Sequence, residues 1–134
     1  MSITDFLEKQ TPENRGILLA IHESVLRADK SVTAGCDMMM GKETIQYLAA
    51  DRFKYGLSVA KNHVSLHLMP LYGVPALHAK YVKLLPAAKF QKGCINFRSL
   101  EEMPMEIVNE LMDECAKVDL KALMEQFKAN RGSK

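Results

Sequence analysis

The stretch "YGLSVAKNHVSLHL", residues 55–68, alternates large aliphatic with small or polar side chains on both sides of Lys61-Asn62. Side chains of a strand point alternately to opposite faces, so the pattern marks two antiparallel strands sharing one buried face. Lys61-Asn62 is read as a two-residue turn, with a longer, bulged turn around a left-handed Asn as the alternative. Val59 then stands opposite Val64, Ser58 opposite Ser65, Leu57 opposite Leu66 and Gly56 opposite His67. One face carries Tyr55, Leu57, Val59, Val64, Leu66 and Leu68 and looks into the core. The other carries Gly56, Ser58, Ala60, His63, Ser65 and His67. A slip of one residue would exchange the two sets and turn every leucine to water, so this stretch constrains the fold strongly.

The flanks supply the partners. Thr11 is an N-cap and Pro12 a first helical residue, after which Ile17, Leu18, Ile21, Val25 and Ala28 fall on one stripe at helical spacing. A shorter helix over "ITDFLEKQ" precedes it. Between Val32 and Pro70 the chain is rich in β-branched and aromatic residues. Gly41-Lys42, Ala50-Asp51-Arg52 and Lys61-Asn62 punctuate it, as in an antiparallel meander. Pro75 begins a helix with Val74, Leu77, Tyr81 and Leu84 on one face, "KGCINF" is a short strand, and Pro104 begins an amphipathic helix. Asp119 caps a last helix bearing Leu120, Leu123, Met124 and Phe127. The order predicts an α+β fold: a meander sheet of about five strands with N- and C-terminal helices packed around it.

A chain of 134 residues fits one core, expected over residues 1–128 with a flexible tail at 129–134. The net charge of +2 is small and its charges are interspersed, against a nucleic-acid partner. No apolar run spans a membrane, and the N-terminus lacks the character of a signal peptide. Cys36, Cys94 and Cys115 are odd in number and far apart. Free thiols in a reducing cytoplasm are expected.

His63 and His67 invite a metal reading, since H-x-x-x-H chelates on a helix. On a strand their Cα atoms lie about 13 Å apart, too far for one ion without further ligands. The face bearing Ser58, His63, Ser65 and His67 is instead either a solvated or helix-covered surface, or the floor of a ligand groove. Opposed serines near histidines do not make a catalytic pair without an orienting group and oxyanion donors. Cys94, beside Lys92, is the candidate reactive thiol. Met38-Met39-Met40 reads as core and edge packing rather than soft-metal ligation. Lys80, Lys83, Lys89, Lys92 and Arg98 form either a solvated basic face or an anion site.

The segments "YGLSVAKNHVSLHLMP" and "KGCINFRSLEEMPMEIVNEL" resemble the central hairpin and the late strand, loop and helix of the YdhG-like domain family. These are small bacterial proteins mostly of unassigned function. The resemblance implies an antiparallel sheet with helices around it, and brings in the frataxin-like iron chaperoning proposed for some relatives. No metal ligand of the family carries over residue by residue. An iron carrier would place its metal on the acidic stripe of Glu102, Glu106 and Glu110, although the face opposite Ile107, Val108, Leu111, Met112 and Cys115 is charged in any surface helix. The sequence therefore predicts a non-catalytic cytoplasmic module without a cofactor that binds a small ligand or a protein. An iron carrier and a thiol- or Ser/His-dependent enzyme are the alternatives. A homodimer through a sheet edge or the methionine-rich segment is a further expectation.

Overall fold

The computed structural model describes residues 2–39, 41–91 and 93–132, with the backbone alone at 127 and 129–132. Two helices, α1 (Ile3–Glu8) and α2 (Pro12–Ala28), precede four strands, β1 (Thr33–Met39), β2 (Lys42–Ala49), β3 (Arg52–Val59) and β4 (Val64–Leu68). Then come α3 (Met69–Gly73), α4 (Pro75–Leu84), β5 (Lys89–Gln91), β6 (Cys94–Phe97), α5 (Met105–Ala116) and α6 (Leu120–Gly132). The strands form one antiparallel sheet in the order β1-β2-β3-β4-β6-β5. The architecture is α+β, as the pattern of elements predicts, with six strands rather than about five. The extra strand is β5, three residues long and too short to show a period.

The β3–β4 register is the one read from the sequence, from Gly56 opposite His67 to Val59 opposite Val64. Its turn closes with the Ala60 N–H donating to the His63 carbonyl at 2.8 Å, and Asn62 does not adopt a positive φ. Left-handed residues occur instead at Ala50 and Asp51, with φ of 52° and 61°, in the two-residue turn between β2 and β3. That combination is the twist-matched hairpin geometry, built here without glycine.

One core packs against one face of the sheet. Tyr55, Leu57, Leu66 and Ile95 are fully buried with Leu18, Ile21 and Val25 of α2 and Val108, Leu111 and Met112 of α5. The Thr11 side chain caps α2 by accepting from Asn14 N–H at 3.1 Å, and the Asp119 carboxylate caps α6 by accepting from Lys121 N–H at 2.9 Å. On α4 the prediction shifts by one residue: Leu84 is 40% exposed and Leu85 is buried. The helix stops at Leu84 and Leu85 leaves helical geometry, which swings its side chain back inward. Residues 129–132 continue α6; Ser133 and Lys134 of the expected tail, and Met40, Lys92 and the Phe127 side chain, lie outside what is described.

A bulge adds an element that alternation does not foretell. Tyr47 pairs with Tyr55 but Leu48 pairs with Phe53, so Lys54 is an inserted residue. The insertion puts Lys54 inside, where its Nζ lies 2.7 Å from Asp29 Oδ2. The same oxygen accepts the Tyr55 hydroxyl at 2.7 Å, and Oδ1 accepts the Ser31 hydroxyl and N–H at 2.6 and 3.0 Å. Asp29 follows the C-terminus of α2, where the helix dipole disfavours a carboxylate. Burial also pushes its carboxyl up, but hydrogen bonds from Lys54, Ser31 and Tyr55 outweigh that and hold it below its ordinary value.

Two tests follow. Lys54→Met leaves a buried carboxylate without its cation and is expected to lower unfolding free energy by about 3–5 kcal/mol in urea at neutral pH; a loss below about 1 kcal/mol would count against the pair. Because the folded carboxyl titrates below its unfolded value of about 4, its stabilisation is complete above that pH and is lost as pH falls through the depressed folded value. Unfolding midpoints measured from neutral to acid pH should therefore fall more steeply in the wild type than in Asp29→Asn.

Candidate functional site

The second face of the hairpin gathers the four residues that the sequence singles out. Ser58 on β3, Ser65 and His67 on β4 and His63 at the turn all line one groove of about 370 Å³. β2 adds Lys42 and Thr44, β6 adds Cys94 and Asn96, and Met39 and Gln91 stand at opposite ends. Among the described residues, strands and the hairpin turn supply the lining and no helix contributes. The sheet order explains this convergence. Thr44, Ser58, Ser65 and Asn96 pair successively across four strands, so they form one polar row.

The floor is hydrogen-bonded within itself. Ser65 Oγ donates to Asn96 Oδ1 at 2.7 Å, Cys94 Sγ lies 3.3 Å from the same oxygen, and Thr44 Oγ1 donates to the Lys42 carbonyl at 3.1 Å. Ser58 Oγ lies 3.4 Å from His67 Nε2. Ser58 and Ser65 are buried, unlike the side chains of an ordinary solvated strand face. Gly56, in the next row, is covered: a Cβ there would stand 2.6 Å from the Phe53 ring. This close approach requires glycine and places an aromatic ring on the groove side of the sheet.

Burial lowers the His67 imidazole below its ordinary pKa, and the charge of Lys42 lowers it further. Burial pushes the Cys94 thiol up, against the Ser65 hydrogen bond and Lys42, so Cys94 lacks the electrostatics of a nucleophilic cysteine. The Ser58–His67 contact is long, and no third side chain orients the imidazole among the described residues. Neither contact has the geometry of an activated nucleophile. Cys36 and Cys115 are raised by burial as well, Cys115 to about 12. Cys115 is fully buried, on the apolar stripe where the sequence places it.

The other candidates separate in space. Glu102 accepts both the backbone and the guanidinium of Arg98, and Glu110 pairs with Lys80 at 3.2 Å. Glu106 is exposed on the first turn of α5. Among the described residues no group of three or more His, Cys, Asp or Glu side chains is placed to hold a metal ion. The basic cluster is likewise divided: Lys80 bridges Glu110 and Glu114, Arg98 faces Glu102, and Lys92 lies outside the described residues. Met38 is 59% exposed instead of packed, whereas Met39 borders the groove. His22, at the margin of the α2 stripe, meets the Tyr47 hydroxyl at 2.6 Å.

Two further cavities each contain an ion-paired cation. One of about 430 Å³ adjoins the groove through His63 and Asn96 and contains the Arg98–Glu102 pair. The other, about 330 Å³, has Lys54 in its wall, held by Asp29. Sequence reasoning missed Thr44, Cys94 and Asn96 as groove residues because they belong to strands distant in the chain. Among the described residues no helix is long and apolar enough to cross a membrane. Comparison with protein-family models, with curated proteins and with solved structures finds no match.

The His67 environment generates a pH prediction. Its ring signals, followed by NMR, should titrate below the ordinary value of about 6.5. A folded value below the unfolded one means that stability is full above about pH 6.5 and declines as pH falls towards the folded value. Titration at or above 6.5 would refute the buried, neutral imidazole.

Proposed function

We propose that this chain is a non-catalytic binding module of the YdhG-like type, holding a small polar ligand in the groove on the helix-free face of its sheet. One observation carries the reading: Ser58, His63, Ser65 and His67, chosen from alternation alone, line a single cavity together with polar residues of β2 and β6. About 370 Å³ lies within the size range of small-molecule sites, roughly 300–1,000 Å³. Most of the residues lining this one carry a hydroxyl, amide or imidazole group, which favours a ligand with polar groups of its own. A cytoplasmic setting accords with the free thiols of Cys36, Cys94 and Cys115.

The 3.4 Å contact of Ser58 with His67 supports a hydrolytic reading less well, because neither an orienting group nor a lowered thiol pKa accompanies it. Amide shift mapping with a panel of sugars, amino acids, nucleosides and their phosphates tests the binding reading. Saturable changes centred on Thr44, Ser58, Ser65 and Asn96 are expected. Saturable changes confined to the α4–α5 surface would reject the groove.

A further inference from the structure

Within that binding reading, we propose that the ligand is an anion, a carboxylate or phosphate bearer whose charge is met by Lys42. The first ground is the lining itself, which among the described residues contains no Asp or Glu. Asp37, opposite Thr44 in the β1–β2 register, stays out of the lining and accepts the Met38 N–H at 2.8 Å. The second ground is Lys42, which lines the groove yet has no ion-pair partner among the described residues. The other lysines placed near acids have theirs: Lys54 holds Asp29, and Lys80 holds Glu110 and Glu114. The positive charge of Lys42 reaches both His67 and Cys94, which puts it over the same floor.

The third ground is hydrogen-bond polarity. Asn96 Oδ1 accepts from Ser65 and is contacted by the Cys94 thiol, so the acceptor end of that amide is occupied and its N–H groups remain for a ligand. Thr44 gives its hydroxyl proton to the Lys42 carbonyl and Ser65 gives its own to Asn96. The donors that remain for a ligand are the Lys42 ammonium, the Asn96 amide N–H groups and an imidazole N–H, beside the lone pairs of the Ser65 and Thr44 hydroxyls. A concavity that offers an ammonium and amide N–H groups, with no carboxylate among its described lining residues, suits an anion, to which charge-assisted hydrogen bonds are the strong ones. The adjoining cavity, lined by Lys89 and Arg98, carries the Glu102 carboxylate in its own wall, which sets it apart from the groove.

The test is titration of isotope-labelled protein at neutral pH and low ionic strength with inorganic phosphate, succinate and the neutral sugar ribose, read as amide shifts. Phosphate or succinate should give saturable shifts at Thr44, Ser58, Ser65 and Asn96, weakened by added salt. Affinity should drop about tenfold in Lys42→Met and in Lys42→Gln, and be unchanged in Lys83→Met on the exposed face of α4. A response to phosphate alone assigns a phosphate bearer, and one to succinate alone a carboxylate. Ribose bound in the groove without either anion would overturn the anion inference and leave the groove standing. Anion shifts indifferent to both Lys42 variants, or no groove shifts with either anion, would also overturn it. Saturable shifts by all three confined to another surface would reject the groove as well.

Discussion

The pairing of Leu57 with Leu66, beside Ser58 with Ser65, is the constraint on which the rest depends. Burying the two leucines contributes about 1.5–3 kcal/mol each, and the whole stripe from Tyr55 to Leu68 shares in it. A sheet has two faces and period two, so fixing one face fixes the other. Because α2 and α5 bury their apolar stripes in the core on the leucine side, the opposite face satisfies its polar groups within the sheet. It does so by lateral hydrogen bonds between neighbouring strands, Ser65 to Asn96 and Ser58 to His67. Core and groove are thus two consequences of one register.

The bulge at Lys54 modifies this scheme at the far end of β3. Without an inserted residue, Phe53 would share the face of Tyr55 and Leu57. With it, Phe53 crosses to the groove side and its ring covers Gly56, while Lys54 turns inward to Asp29. The charged pair costs desolvation, which its geometry offsets by giving Asp29 donors from Lys54, Tyr55 and Ser31. It ties the end of α2 to β3 and makes the bulge a fixed point of the sheet.

The central hairpin was legible because period, turn and hydrophobicity all pointed to the same pairing, and its register is the expected one. The caps of α2 and α6 were legible for a local reason: each is an oxygen-bearing side chain within three residues of the N–H it accepts. β5 was not, since three residues cannot display alternation and its strand character comes from pairing with β6. The inward turn of Leu85 depended on where α4 ends, and inward Lys54 on a bulge that hydropathy reads as an error. Four of the ten described lining residues were visible, namely those on one hairpin. Thr44 and Asn96 join them only through the order in which β2 and β6 flank that hairpin, which is long-range information.

The self-contained floor bears on how the groove acts. Among the described residues no buried side-chain nitrogen or oxygen lacks a hydrogen-bond partner. The floor of the groove therefore holds no unpaired buried polar atom, and its serine, threonine, asparagine and histidine side chains are held by neighbours within the sheet. Ordering cost on binding is small when the contacting groups are already fixed, which favours affinity from few contacts. The Ser58 hydroxyl and the Asn96 carbonyl are already engaged, with His67 and Ser65. The selectivity of such a site rests on the groups that the internal network leaves over, among them the Lys42 ammonium and the Asn96 N–H groups.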